Sequence, residues 1–99
     1  MAELNEIIHQ PVRLQIMASL VTLKSDSAVD FSTLRDLLEV TDGNLGAHLR
    51  KLEEARYIEI KKEFVDRKPR SFISATQKGR GVFQEHVEAL EAILNTNEG

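Results

Sequence analysis

The side chains that could take part in chemistry are mostly cationic, and they are concentrated in one stretch of the chain. Residues 48–80 carry ten basic against five acidic side chains, whereas residues 1–47 carry three against seven. Residues 81–99 carry four glutamates and no basic residue, and the formal net charge of the chain is −3. A basic block between acidic flanks is the electrostatic footprint of a polyanion-binding surface, although such runs also serve solubility alone.

Three of these cations surround Pro69 in a polar segment between two apolar ones: Arg67, Lys68 and Arg70. The positive charge of these three side chains is what a contact with DNA phosphate groups requires. The alternative is that charged side chains here protect exposed strand edges from aggregation. Lys78 and Arg80 lie near the start of a later helical pattern, where positive charge opposes the helix dipole, and an external anion would explain them.

The sequence offers no catalytic or metal-binding arrangement. With no cysteine there are no disulfides, thiol nucleophiles or cysteine-rich zinc sites, and the chain suits a reducing cytoplasm. His9 and His48 are isolated, and His86 with its neighbouring glutamates has the spacing of a solvated helix face, whereas a structural metal site needs about four ligands. Gly79 and Gly81 lack the pattern of a phosphate loop. We therefore expect neither an enzyme nor a bound metal or cofactor.

The size of the chain limits the architecture that can position these groups. Ninety-nine residues suit one small domain over residues 1–99. No apolar run approaches the roughly 18 residues that cross a bilayer, and Glu3 and Glu6 do not fit an export signal. We therefore expect a cytoplasmic protein without membrane contact.

Apolar spacing predicts helices in the first half of the chain. A short amphipathic helix over about residues 3–9 ends before Pro11, which suits the first turn of a core helix extending to Lys24. Ala28 to Phe31 is expected to be a short extended segment.

The next two helices are predicted to lie close together. Ser32 is expected to cap the first, which stops near Val40, and Thr41 is expected to cap the second. In the second helix three leucines share one face: Leu45, Leu49 and Leu52. Two short helices joined by a tight turn are a helix-turn-helix candidate.

The apolar period then changes from helical to alternating. Ile58 and Ile60 alternate with charged residues, and residues 72–75 form a second strand-like run. Residues 65–69 between them, with Asp66, Arg67 and Lys68, predict a hairpin with Pro69 in its polar tip. Thr76 is expected to cap a final helix over about residues 77–95.

This order of elements is that of a winged helix-turn-helix, an α+β fold with a two-stranded wing and terminal helices. Five segments carry a family resemblance: QPVRLQIM (10–17), VDF (29–31), TDGNLGAHLRKLEEA (41–55), KPR (68–70) and TQKGR (76–80). Together they resemble small winged-helix transcriptional regulators of the MarR-like and ArsR-like kind, over about residues 4–90.

The resemblance implies a function. In that family the second helix of the motif reads the DNA major groove, the wing contacts the backbone or minor groove, and terminal helices pair two subunits. It implies a homodimeric repressor that binds double-stranded DNA, and it leaves open whether a small-molecule effector also binds. The alternative is a winged-helix interaction module that binds another protein and no DNA.

The expected DNA-facing residues follow from helix geometry. Those opposite the leucine face are Gly43, Asn44, Ala47, Arg50, Lys51 and Glu54. Asn44 can pair a donor and an acceptor with adenine, and small neighbours permit close approach. His48 flanks the apolar face, where it is either a half-buried packing residue or a phosphate donor. Arg50 and Lys51 either bind phosphates or pair with adjacent glutamates. The wing adds Arg67, Lys68 and Arg70.

Arg56 departs from the family pattern. Relatives usually carry glycine there, just after the recognition helix, at a position that often has positive φ. A non-glycine residue in that conformation costs roughly 1 kcal/mol. We therefore expect a shifted or strained turn.

The terminal segments carry more apolar surface than so small a domain easily covers. The predicted dimer interface consists of Leu4, Ile7, Ile8, Phe83, Val87, Leu90, Ile93 and Leu94. The alternative is that the two terminal helices cover each other within one chain.

Overall fold

The computed structural model describes residues 4–24 and 27–96, and these form the expected α+β winged helix fold. The helices of this part are α1 (Pro11–Val21), α2 (Phe31–Leu38), α3 (Asp42–Glu54) and α4 (Gln77–Thr96). The strands are β1 (Val29–Asp30), β2 (Ile58–Val65) and β3 (Lys68–Ala75). They form an antiparallel sheet of order β1-β3-β2, so the predicted two-stranded hairpin gains a short third strand at its base.

Helix α1 lies at the centre of the core. Pro11 occupies its first turn, and the side chain of Gln10 caps it by accepting a hydrogen bond from the backbone N–H of Arg13 at 2.9 Å. The helix packs against α2, α3, α4 and β3. The apolar residues of this core are Ile8, Ile16, Met17, Leu20, Leu34, Leu45, Leu49, Leu52, Tyr57, Ile58, Ile73 and Ala75. Each large side chain buried here contributes about 1.5–3 kcal/mol relative to exposure.

The predicted helix over residues 3–9 is wrong. Glu3 lies outside the described residues, and the segment after it forms a single turn in which the N–H of His9 donates to the carbonyl of Asn5 at 2.7 Å. The Asn5 side chain accepts from the N–H groups of Ile7 and Ile8 and so begins this turn. Pro11 holds the preceding residue in an extended conformation, which leaves no room for a second turn.

Helix α2 begins one residue before the predicted cap. Asp30, rather than Ser32, is the N-cap, because its carboxylate accepts from the N–H of Thr33 at 3.2 Å. The helix ends at Leu38, and its C-cap residue Glu39 has a φ of 55°. Across the following turn Arg35 contacts Asp42 at 2.8 Å and ties α2 to the start of α3.

The end of α3 confirms the prediction for Arg56. This residue has a φ of 65°, the N–H of Arg56 donates to Glu53, and that of Tyr57 donates to Leu52. These are the two hydrogen bonds of a Schellman motif, whose left-handed position usually holds glycine. The chain therefore makes the ordinary turn with a strained arginine.

The wing, which is the β2–β3 hairpin, has a tighter tip than predicted. Pairing extends to Val65 and Lys68, and the turn consists of Asp66 and Arg67 alone. Both have positive φ, as the type I′ turn of a two-residue hairpin requires. Pro69 lies inside β3 and not in the tip. It is tolerated because β1 pairs only with residues 72 and 73, so β3 is an edge strand at this point.

Thr76 caps helix α4 as expected, because its Oγ1 accepts from the N–H of Gly79 at 2.9 Å. The same hydroxyl donates to the carbonyl of Arg56 at 2.7 Å. A β-carbon on Gly79 would lie 2.0 Å from the carbonyl oxygen of Tyr57, so this glycine allows α4 to approach the strained turn. Gly79 therefore serves the close packing of α4 against this turn.

Candidate nucleic-acid interface

One face of α3 is exposed along its whole length. Leu45, Leu49 and Leu52 are buried, so the opposite face points to solvent. That face carries the residues predicted to meet DNA, all of them exposed: Gly43, Asn44, Ala47, Arg50 and Lys51. Thr41 caps the helix by accepting from the N–H of Asn44 at 3.1 Å. The Asn44 side-chain amide makes no hydrogen bond within residues 4–24 and 27–96, which leaves it available to an external partner.

Two glycines leave open surface on the first half of α3. A β-carbon at Gly43 or Gly46 would have nothing within 4 Å. Packing within the described chain therefore does not require glycine at either position, although a glycine inside a helix costs about 1 kcal/mol relative to alanine. The bare surface around Asn44 lets a partner approach the helix backbone closely.

His48 lies at the border of this face and is half-buried. Its Nδ1 lies 3.2 Å from Nη1 of Arg13, and since arginine can only donate, Nδ1 accepts this hydrogen bond. Burial first, and the charge of Arg13 second, lower the pKa of His48 below its ordinary value. Of the two alternatives for this residue, the geometry supports the packing one. A neutral His48 ring retains Nε2–H as its only donor.

The cations of α3 and the wing form no ion pairs within the described part of the chain. There, both ion pairs belong to Arg35, which contacts Asp36 at 3.0 Å and Asp42 at 2.8 Å. The alternative pairing of Arg50 and Lys51 with adjacent glutamates is therefore not observed. The wing cations are likewise exposed: Arg67, Lys68 and Arg70. These positive charges are available to an external anion.

A cleft of about 530 Å³ separates α3 from the wing. Gly46 and Arg50 line its α3 side, and Lys62 and Ser71 line its wing side. Two cations thus border one concave surface, and Glu53 supplies the one acidic group among the lining residues. The cleft joins the exposed α3 face to the base of the wing.

Lys62 was not among the residues predicted from the sequence. The sequence could have identified Lys62, because alternation along β2 places Ile58, Ile60 and Lys62 on the same face of the strand. Ile58 is buried in the core, so the third member of the row lies where the core ends and the cleft begins.

The two cations at the start of α4 have partners inside the chain. The Arg80 guanidinium donates to the carbonyls of Val21 and Leu23, each at 3.1 Å, and to that of Lys24 at 3.3 Å. Lys78 places its Nζ 5.6 Å from the centre of the Tyr57 ring. No external anion is needed to explain either residue.

The residues predicted for a dimer interface separate into two groups. Ile8 is fully buried within one chain and belongs to the core, so it is not available to a second copy. Ile7 and Phe83 are half-buried and pack against the same core. Leu4, Val87 and Leu90 are also half-buried.

At the end of α4, by contrast, Ile93 is 45% and Leu94 is 63% exposed. The terminal elements therefore cover each other near the core and leave apolar surface beyond it.

His86 does not lie on a solvated helix face, and that expectation is wrong. It is buried on the inner side of α4, where its Nδ1 accepts from the backbone N–H of Asn5 at 3.1 Å. The Asn5 side chain also donates to the hydroxyl of Tyr57 at 3.0 Å. Burial, followed by the nearby charge of His9, lowers the pKa of His86. These contacts attach the first turn to α4 and to the segment that follows α3.

Over residues 4–24 and 27–96, no three His, Asp or Glu side chains lie close enough together to hold a metal ion. Over the same residues, no helix combines the length and the apolar character needed to cross a membrane.

The fold is similar to that of solved transcriptional regulators. A transcriptional regulator homologue from Pyrococcus horikoshii OT3 superposes with a TM-score of 0.86 at 29% identity, over 96% of this chain and 91% of that one. MepR of S. aureus, solved as a DNA complex, gives a TM-score of 0.74 at 16% identity, over 94% of this chain and 73% of that one. A MarR-family structure from Enterococcus faecalis V583 superposes with a TM-score of 0.69 at 20% identity, over 93% of this chain and 76% of that one. The last two show the fold alone.

Sequence relationships extend over the same region. The uncharacterized protein MJ0432 of Methanocaldococcus jannaschii is 37% identical over 82 residues, which are 83% of this chain and 86% of that protein. The family described as winged helix DNA-binding domain matches residues 12–94. Because this match covers most of the chain, the protein belongs to the winged helix DNA-binding domain family and has the fold of MarR-type transcriptional regulators.

Proposed function

We propose that this protein is a sequence-specific transcriptional regulator that binds double-stranded DNA as a homodimer and represses by occupying a promoter. One observation carries the proposal. The exposed face of α3 and the base of the wing border one cleft through Arg50 and Lys62, and the cations of α3 and the wing have no acidic partner in the described part of the chain. This is the arrangement expected of a helix in the major groove beside a wing that reaches the flanking DNA.

The cleft supports the same docking. A helix in the major groove and a wing at the adjacent minor groove must straddle the sugar-phosphate strand that separates the two grooves. Arg50 and Lys62 border the cleft where that strand would pass, and each can bind a phosphate. Arg67 lies farther out, in the turn of the wing. Its side chain suits a narrow minor groove.

The end of α4 supports a homodimer. Ile93 and Leu94 expose apolar surface at a place where the chain itself supplies no cover among the described residues. Two-fold pairing through this end would present two α3 helices to half-sites about 34 Å apart, or a multiple of that distance. The longest dimension of one chain, 57 Å, is large enough for such spacing.

Salt dependence tests this function against a protein-interaction module. Duplexes would be selected from a random pool with the purified protein, and affinity for the selected duplex would be measured over a range of salt concentrations. Phosphate contacts release counterions, so log affinity should fall linearly and steeply with log salt concentration. Failure to select any duplex at low salt, or an affinity independent of salt, would contradict DNA binding. It would favour the interaction module.

A further inference from the structure

Phe64 exposes 80% of its surface, the largest fraction among the exposed large apolar side chains of the described residues. It lies near the end of β2, directly opposite Pro69 of β3. Projecting strands usually carry charged residues, because exposed apolar strands invite aggregation. An aromatic ring exposed on the outer half of the wing is therefore expected to be covered by a partner.

The strand register shows which way this ring faces. Side chains alternate along β2, so Phe64 shares a face with Ile60 and Lys62. Lys62 lines the cleft opposite α3, and Phe64 is the next residue on that face toward the tip. The ring thus continues the surface that begins at α3 and the cleft.

The charges around the ring identify the chemistry of that partner. Lys62 precedes it on the same strand face and Arg67 lies in the adjacent turn, whereas alternation places Lys68 and Arg70 on the other face of the wing. An apolar ring with a cation on each side along the wing fits a partner with strong negative charge around an apolar interior. The minor groove of DNA has both, since phosphates border it and deoxyribose rings and base edges form its walls.

We infer that Phe64, supported by Pro69, is an apolar wedge that enters the minor groove beside the half-site contacted by α3 and bends the duplex there. This inference rests on the proposed DNA-binding function. It adds a contact that depends on shape and base-step deformability, distinct from the phosphate contacts of the neighbouring cations. Apolar side chains inserted between base steps unstack them partially and kink the duplex.

The test uses variants that keep the wing folded. Phe64→Thr retains a residue favourable to strands but removes the ring, and Phe64→Leu retains apolar bulk. Leu37→Ala is the matched control, because Leu37 is another exposed apolar residue, at 64%, and lies on α2 outside the wing. Each protein would be titrated against a duplex selected with the wild type, labelled at both ends for end-to-end distance by energy transfer.

We expect Phe64→Thr to bind roughly tenfold more weakly and to bend the duplex less, since no ring is then buried against the DNA. Its slope of log affinity against log salt should stay that of the wild type, because no phosphate contact is removed. Phe64→Leu should recover part of the affinity. Leu37→Ala should behave as the wild type.

Two results would overturn the inference while leaving DNA binding intact. Phe64→Thr could bind and bend the selected duplex as the wild type does, which would remove the ring from the interface. Alternatively, the free protein could change its association state on this substitution, measured by sedimentation, which would make Phe64 a contact between copies of the chain. If the wild type selects no duplex, the proposed function fails, and this inference fails with it.

Discussion

The backbone N–H of Asn5 donates a 3.1 Å hydrogen bond to Nδ1 of His86, across a separation of 81 residues. Because Nδ1 must accept, the buried ring is bound in its neutral form. Protonation would place a donor against this N–H and a charge in the interior. The contact therefore links attachment of the first turn to the protonation state of one histidine.

Acidification should destabilise the protein through His86. Its pKa is lowered in the folded state by burial first and by His9 second, so below about pH 6.5 the unfolded chain binds more protons than the folded one. The free energy of unfolding should fall as pH drops from about 6.5 through the lowered pKa. His48, whose pKa is lowered too, acts in the same direction.

Urea unfolding between about pH 8 and about pH 5 measures this dependence. His86→Gln should flatten it, whatever its effect on stability at neutral pH. His9→Gln should retain most of it, because burial is the larger cause of the shift. An unchanged pH slope in His86→Gln would show that the pKa of His86 does not differ between the folded and unfolded chains.

Asn44 should determine sequence preference. Its exposed amide offers a donor and an acceptor in the first turn of α3, beside a glycine and an alanine that have no polar side chain. Asn44→Ala should cost about 1–3 kcal/mol per half-site, concentrated at one base pair, most simply an A·T. Titration against the selected duplex and all its single-base variants checks this. Gln15→Ala, exposed on α1, is the control. A uniform loss over all sequences would make Asn44 a positioning residue.

The wing arginines should contribute affinity without sequence preference. Replacing Arg67 and Arg70 with alanine should weaken binding to selected and random duplexes alike. It should flatten the slope of log affinity against log salt by about one unit for each phosphate that the double variant no longer binds. Lys24→Ala removes an exposed cation elsewhere and should leave the slope intact. An unchanged slope in the double variant would exclude the wing cations from the interface.

Gly46→Ala should stabilise the protein and weaken its DNA binding. The new β-carbon meets nothing within 4 Å, so the helix gains roughly 1 kcal/mol, yet a methyl group now occupies surface that a close partner would need. Gly81→Ala is a matched control, because it also adds a β-carbon to open space in a helix, α4. Both should raise the free energy of unfolding, and Gly46→Ala alone should reduce affinity. Equal affinities would place the DNA away from this part of α3.

Substitution of Ile93 and Leu94 by aspartate should produce folded monomers. Both side chains are exposed within one chain, so the change removes intermolecular burial and leaves the core intact. Sedimentation at micromolar concentrations distinguishes the species, and Leu37→Asp is the control for an exposed apolar residue outside α4. A wild type that is monomeric at high micromolar concentration would contradict the homodimer directly.

Local signals predicted most of the fold. Thr41 and Thr76 cap the helices they were expected to cap, because an N-cap requires only its own neighbouring N–H groups. Arg56 adopts positive φ because the α3 ending demands it, even without glycine. The exposed face of α3 followed from its leucine spacing alone. These features depend on residues within a few positions of each other.

Other features escaped prediction for identifiable reasons. Proline is common in turns, which is why Pro69 was predicted to lie in the tip. The turn instead consists of Asp66 and Arg67, whose positive φ values match the right-handed twist of the hairpin, so Pro69 lies within β3. The prediction for His86 rested on its neighbouring glutamates, whereas the buried ring contacts Asn5, which is distant in sequence. Helical spacing does not identify such a partner.

The bond between Arg80 and the end of α1 has a consequence for synthesis of the chain. Proteins are made from the N-terminus, so α1 emerges while the guanidinium that caps its terminal carbonyls, 59 and 57 residues away at Val21 and Leu23, does not yet exist. The central helix therefore gains this cap only after the wing has been translated. A nascent chain that stops short of Arg80 would lack α4 and would leave exposed the part of α1 that packs against it.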